Sequence, residues 1–437
     1  MFHRIKRIVP SSLKTYLAPL YQKTVGDRYK IWLVRHMHKR HQRLLKLLNG
    51  KQRIRVVFLV IHKSMWKVDP VFQKMLTDPF FEPIVLICPF IVHGEEQMWI
   101  DMLEGLEYFN GKGYPICSAY NNNKKCWVKL KEMAPDIVFF TNPNRLTFKE
   151  YYENAYLNYL SCYAGYGISV VDYNNGQSQY NQDFHNACWK IFVQNKNMYD
   201  QFLRYSYRDT EGLHIVLDAI IEDLLASKAD CKSAWKNFNT HKKVIFAPHH
   251  TINKDSSLQL GNFLEFAELM KQLVMDTRKD ITWSFKPHPI LKSKLYAHKE
   301  WGADRTDAYY GFWASQPNSQ LDEGGYIDLF VQSDALIHDS AAFIAEYIFT
   351  DKPMLYLMNS RTRKNLNDFG NQCLNTASEA WNGKDIRAFI SDLMANSDGM
   401  LESRRKFIAW YLNGLEVNKS SSAIVDIIKS SVRELNK

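Results

Sequence analysis

The sequence predicts an α/β protein built from two doubly wound units, each a parallel sheet with helices on its faces. Three observations carry this expectation. Short runs rich in Val, Ile and Phe recur along the chain, including IRVVFLVI (54–61), DIVFFT (136–141), KVIFA (243–247) and ITWSF (281–285). Helical patterns separate them, which is how crossover units with parallel strands read. The length of 437 residues is more than one hydrophobic core usually holds.

The first 55 residues carry 15 Lys/Arg and one acid, Asp27, so the rest of the chain is net acidic although the whole has charge +10. A nucleic-acid-binding domain would itself be basic, so nucleic acid is excluded as a partner. Residues 28–48 read as a helix without an acid. Leu33, Val34, Met37, Leu44, Leu45 and Leu48 form an apolar stripe with Trp32 beside it, and Lys and Arg cover the rest. Such a helix suits an anionic membrane surface, and it equally suits packing on the body with its charges solvated. No run reaches the ~18 apolar residues of a spanning helix, and FHRIKRIV is too short and charged for a signal peptide. The expected division is a basic arm (1–50), a first unit (51–225), a second unit (226–410) and a C-terminal helix (411–437) that crosses back to the first. Seven cysteines without a CxxC pair indicate a reduced, cytosolic chain without a zinc site.

In the first unit the expected strands are 54–61, 83–88, 114–117, 136–141, 168–172 and 189–194, with helices through Met75 and over 98–109. Residues 211–225 are expected to bridge the units, and 232–242 to link them. The second unit repeats the pattern. It has a strand at 243–247, a helix over 258–277 and a strand at 281–285. A partly helical stretch fills 291–324. Then come a short helix (YIDLFVQS), a strand (DALIHD), a helix (AAFIAEYIF) closed by Asp351-Lys352-Pro353, and a strand (PMLYLM). Proline ends that helix because it disfavours a helical residue before it.

Three polar motifs directly follow strands in this second unit: Pro248-His249-His250-Thr251, Lys286-Pro287-His288-Pro289 and His338-Asp339-Ser340. Ligands of open α/β sheets bind outside the carboxyl ends of the strands, so all three can face one crevice. Histidines, a lysine, hydroxyls and a helix N-terminus at Ser340 make a set for a diphosphate. Ser340 also reads as a plain N-cap. Glu346, on the next helix, is placed to reach a ribose hydroxyl pair, or is a solvated or lysine-paired carboxylate. Two prolines around His288 fix its backbone.

These motifs resemble those of the CDP-glycerol glycerophosphotransferase family, the teichoic acid primases and polymerases. Lys286-Pro287-His288-Pro289 matches the family's Arg-x-His-Pro. Asp339, Ser340, Ala341 and Ala342, then Lys352-Pro353, stand where the family has Asp-Tyr-Ser-Ser and Lys-Pro. His249, His250 and Thr251 replace Thr-Trp-Arg after Ala-Pro. Asn418-Lys419-Ser420-Ser421-Ser422 resembles a Gly-Lys-Ala/Ser-Ser stretch. The likeness spans about residues 243–358, and the family's Trp-His-Gly-Thr-Pro motif has no counterpart in the first half. The resemblance implies a GT-B fold: two Rossmann-like domains facing across a cleft.

The resemblance further implies a transferase moving glycerol phosphate or a related group. The donor is a CDP-linked nucleotide, and the acceptor is a cell-surface glycopolymer or a lipid-linked molecule at the cytoplasmic face of the membrane. CMP leaves. His288 and the N–H groups near Ser340 would stabilise the leaving phosphate. His250 is the first candidate for the base and His185 the second. His249, Thr251, Lys286, His338, Asp339, Ser340 and Glu346 would bind the donor. No acid pair of the DxD kind is present, so neither metal nor cofactor is expected. The alternatives are a glycosyltransferase using a CMP- or UDP-sugar in capsule synthesis, an epimerase acting on a UDP-sugar, and a non-catalytic subunit of a capsule assembly complex.

Overall fold

The computed structural model describes residues 26–165, 167–172, 176–226, 233–236, 240–253, 258–413 and 420–433. The chain divides into two compact units. One holds the chain up to Tyr166, Tyr173–Val216 and the tail from Ser421. The other holds Gly167–Asp172 and Leu217–Ser420.

In the first unit, helix α1 (Asp27–Leu47) precedes β1 (Ile54–Val60), β2 (Phe81–Ile87) and β3 (Ile116–Ser118). A small hairpin of β4 (Tyr120–Asn121) and β5 (Cys126–Trp127) follows. Then come β6 (Ile137–Phe140), β7 (Leu160–Ala164), the short helix α2 (Asp183–Ala187), β8 (Lys190–Val193) and β9 (Leu213–Ile215). Among the described residues, seven strands form one sheet in the order β3-β2-β1-β6-β7-β8-β9, and every pairing is parallel. The tail helix Ser420–Arg433 joins this unit's core through Ile424, Val425, Ile428 and Val432. Its Lys429 ammonium bonds Asp78.

The second unit contains β10 (Lys242–Ala247), helix α3 (Phe263–Asp276), β11 (Ile281–Phe285), helix α4 (Leu291–Tyr296) and β12 (Ser319–Leu321). After these come β13 (Ala335–His338), helix α5 (Ala341–Glu346), β14 (Met354–Leu357) and β15 (Ser378–Ala380). The sheet order is β12-β11-β10-β13-β14-β15 and all pairings are parallel. Period-2 alternation explains why the strands are apolar throughout. Val244 and Phe246 enter one hydrophobic cluster, while Ile245 and Ala247 enter the cluster on the opposite face.

Several expectations need correction. Residues 168–172 are not a strand of the first sheet; β7 takes that place. Asn367 explains why: its N–H bonds the Val170 carbonyl (2.9 Å), its side-chain amide bonds the Ser169 carbonyl (3.0 Å), and Val171 bridges Leu366. These contacts tie the segment into the second unit. The expected bridge over 211–225 contains β9 and a helix, Ala219–Ala226. The apolar stripe of α1 does not face outward. Leu33, Met37, Leu45 and Leu48 are buried in the first unit's core, so α1 is part of that unit and not a separate arm. Its exposed side carries Tyr29, Trp32, Arg35, His36, Lys39, Arg43, Lys46 and Leu47. Residues 1–25, with FHRIKRIV, lie outside the described residues, as do Asn418 and Lys419. Among the described residues, no helix is long and apolar enough to cross a membrane.

Candidate functional site

In the second sheet the strand order reverses at β10, which lies between β11 and β13. A loop leaving one side and a loop leaving the other open a crevice at such a point. The three motifs leave from these three neighbouring strands. His249 and His250 follow β10, Lys286-Pro287-His288 follows β11, and Asp339-Ser340 follows β13.

His249, His250 and His288 are brought into one cluster. Their ring centroids lie 4.3 Å (His249–His250), 4.2 Å (His250–His288) and 5.2 Å (His249–His288) apart. One nitrogen of each ring lies within 4.8 Å of the others, close enough to hold a cation. The hydrogen bonds on the remaining nitrogens point to a different ligand. The Ile290 N–H donates to His288 Nδ1 (3.3 Å). The Lys294 ammonium, which has no lone pair, donates to His250 Nδ1 (2.9 Å). Thr251 Oγ1 already accepts the Leu260 and Gly261 N–H groups (3.0 and 2.9 Å), so its own hydrogen goes to His249 Nδ1 (2.9 Å). Each Nδ1 therefore accepts, and each Nε2 carries the hydrogen. Three imidazole N–H groups held in one cluster suit an anion. A metal needs a bare lone pair there.

All three rings are held neutral. Burial lowers the His249 pKa well below its usual value, helped by the neighbouring histidines and Lys294. Burial and Lys294 bring His250 to about 4. Burial, His250 and the two lysines bring His288 to about 3. Charging any one of them would place a cation beside other donors in a poorly hydrated site. An anion in the cluster would reverse that bias.

Asp339 is the brace of the cluster and does not face a ligand. It is fully buried, and its carboxyl group accepts the His249 N–H (2.6 Å) and the Asn262 N–H. Burial pushes its pKa up to about 7 against the pull of those two N–H groups. The Asn262 amide in turn bonds the Leu260 and Leu357 carbonyls, both at 2.8 Å. The β10 loop is thus tied to the ends of β13 and β14.

The other expected residues are placed differently. Thr251 spends its hydroxyl on the turn, as above. Lys286 is buried and donates to the Gly324 carbonyl (2.8 Å). His338 is fully buried as the last residue of β13. Its Nδ1 accepts the Ser340 N–H (3.2 Å), and its ring packs edge-on against Tyr356. Ser340 makes no side-chain cap, and α5 has only six residues. Glu346 is not solvated, for it is buried and accepts the Tyr326 hydroxyl at 2.6 Å. His185 lies in the other unit with no exposed surface. Its Nδ1 accepts the Gln182 N–H at the start of α2, and Phe184, Phe202 and Tyr163 surround it. That ring cannot meet an acceptor hydroxyl there. Sequence reading missed Lys294 and Asn262. The signal for Lys294 was a lysine on the helix that directly follows the His288 motif.

No family model matches the chain, and no curated protein matches it by sequence. Solved structures do. A variant of the wall teichoic acid polymerase TagF aligns over 98% of this chain and 99% of its own, with TM-score 0.59 and 12% identity. A putative UDP-N-acetylglucosamine 2-epimerase from Listeria monocytogenes aligns over 87% and 97%, with TM-score 0.55 and 16% identity. The S. aureus MnaA–UDP structure aligns over 88% and 98%, with TM-score 0.54 and 14% identity. At these identities the likeness is one of architecture, and together with the two all-parallel sheets it places the chain in the GT-B fold.

Proposed function

We propose that the protein is a transferase that takes glycerol phosphate, or a related group, from a CDP-linked donor and passes it to a cell-surface glycopolymer or lipid-linked acceptor. The observation that carries this reading is the cluster of three Nε2–H donors from His249, His250 and His288 at the reversal point of the second sheet. The diphosphate of the donor sits against them. The acceptor hydroxyl oxygen forms a bond to the β-phosphorus while the bridging P–O bond breaks, and CMP leaves. Negative charge grows on the leaving phosphate, and donors fixed beforehand stabilise it without reorganising. His250 takes the acceptor proton. Its Nδ1 lone pair is now held by Lys294, and it becomes available when that ammonium turns to the donor phosphate. No metal is used in this scheme.

The GT-B architecture is also that of proteins named as UDP-N-acetylglucosamine 2-epimerases, which keeps a sugar-nucleotide substrate as the second reading. The basic, Trp32-bearing side of α1 is proposed to rest on an anionic membrane surface at the cytoplasmic side, close to a lipid-linked acceptor. The test is release of CMP from CDP-glycerol, run in parallel with CMP- and UDP-sugars. Turnover of CDP-glycerol that falls about a hundredfold in His288→Ala is expected. Turnover of a UDP-sugar alone would replace the first reading with the second. Undiminished turnover in His288→Ala would remove the site assignment.

A further inference from the structure

A second polar cavity lies in the first unit, at the opposite end of its strands from the carboxyl-end crevice of a doubly wound sheet. It has a volume of about 590 Å³ and sits where β8 and β9 begin, roofed by α1 and flanked by the tail helix. Lys190 opens β8, His214 lies in β9, Arg208 precedes it, and His41 comes from α1. Four nitrogen-bearing side chains thus meet in one hollow. The acids among its lining residues, Asp209 and Glu211, are exposed at the rim, with His38 Nδ1 3.6 Å from Glu211.

Two of these groups each keep one nitrogen without a protein partner. The Arg208 Nε is buried and unbonded, although its Nη1 donates to the His185 carbonyl (3.0 Å). His41 is 8% exposed, its ring bonds the Ala187 backbone, and its Nε2 is buried and unbonded. Lys190, also 8% exposed, shares a 3.2 Å contact with His214 Nε2. Buried polar atoms without partners are costly, and in native structures a water, an ion or a ligand completes their bonding. Burial, then Arg208, hold His41 neutral at about 3, and burial, then Lys190 and Arg208, hold His214 neutral at about 4. The pocket therefore offers two basic side chains, Arg208 and Lys190, and one imidazole lone pair.

We propose that this cavity is a binding site for a phosphate monoester that also carries a hydroxyl, distinct from the donor site. Arg208 and Lys190 hold the phosphate, and His41 Nε2 accepts a hydroxyl hydrogen. The volume exceeds that of a bare phosphate and leaves room for a small polyol. Such a group can come from a soluble ester or from the headgroup of a membrane lipid. The roof favours neither by itself, since the outer side of α1 is basic and carries exposed Trp32.

The test uses the full chain and four probes: inorganic phosphate, glycerol 3-phosphate, and phosphatidylcholine vesicles with and without phosphatidic acid. Binding is followed by calorimetry and co-sedimentation at constant ionic strength, in wild type, Lys190→Met and His288→Ala. Expected is binding of glycerol 3-phosphate that is at least about tenfold weaker in Lys190→Met, the scale of one lost charge-assisted bond, and unchanged in His288→Ala. Lys190-dependent uptake on phosphatidic acid vesicles assigns the lipid source, and binding of the soluble ester alone assigns the soluble one. If Lys190→Met does not fold, His214→Asn is read in its place. Absence of binding to every probe, or binding lost in His288→Ala and kept in the first-unit variant, overturns the proposal. Because His288→Ala reports on the donor site separately, failure here leaves the transferase reading untouched.

Discussion

Lys294 sets the state of the imidazole cluster more than any other single residue. Its ammonium occupies His250 Nδ1 at 2.9 Å and contributes to the lowered pKa of His249, His250 and His288. Replacing it by Met removes one cation and frees one lone pair. The His250 pKa should then rise from about 4 towards its ordinary range, visible as a displaced imidazole titration by NMR. A His250 unmoved by Lys294→Met would leave burial as the only cause. His288→Ala deletes one of the three donors proposed to face the donor phosphates. A fall in kcat of about a hundredfold is expected, the usual size for a lost donor in such a hole. The tautomers carry a third expectation, that turnover persists after exhaustive treatment with a chelator. Loss of activity restored by a divalent ion would show that the rings can turn their lone pairs inward.

At the scale of elements, most helices and the central strands were legible because their periodicity is local. β1, β6, β10, β11, β13 and β14 are runs of apolar residues with turn residues at both ends, and each lies within a residue or two of its expected span. β9, β12 and β15 have only three residues each, and β7 follows a helix with one residue between. A strand that short is defined by its neighbours, and no pattern in its own residues announces it. The segment 168–172 shows the opposite error: ISVVD has the composition of a strand, but Asn367 takes its carbonyls. Likewise the three histidine-bearing mouths were legible as motifs, while the bonding of Glu346 to Tyr326 and of Thr251 to the turn depended on residues distant in sequence. Gly370 tests the reading of 168–172. A Cβ there would lie 2.2 Å from the Val170 carbonyl oxygen. Gly370→Ala should lower stability by about 1–3 kcal/mol through forced displacement of that segment, measured as a lowered denaturation midpoint. An unchanged midpoint would mean that the segment yields freely and does not anchor the unit.

Over the whole molecule, eight of the described histidines share a bias that makes stability depend on pH. His41, His185, His214, His250, His288 and His338 are held at about 3 or 4, and His62 and His249 are also lowered, in every case with burial as the largest cause. In the unfolded chain each would titrate near 6.5. Between those values the unfolded state binds more protons than the native one, so stability rises with pH across about pH 3–6.5 and levels off above it. Asp339 runs the other way. With its pKa raised to about 7 from 3.8, the native state holds the extra proton, and this term falls as pH rises from about 4 to 7. Burial raises Asp183 as well, but eight lowered histidines outweigh these two acids, so the melting temperature should drop as pH is lowered from 7 to 5. His288→Asn removes one member of the set and should flatten that drop, whereas Asp339→Asn removes one opposing term and should steepen it. A melting temperature that is flat or rising towards pH 5 would mean that these rings take up protons without cost. The cluster would then be hydrated enough to exchange with solvent, and the anion-binding N–H set derived from its tautomers would no longer hold.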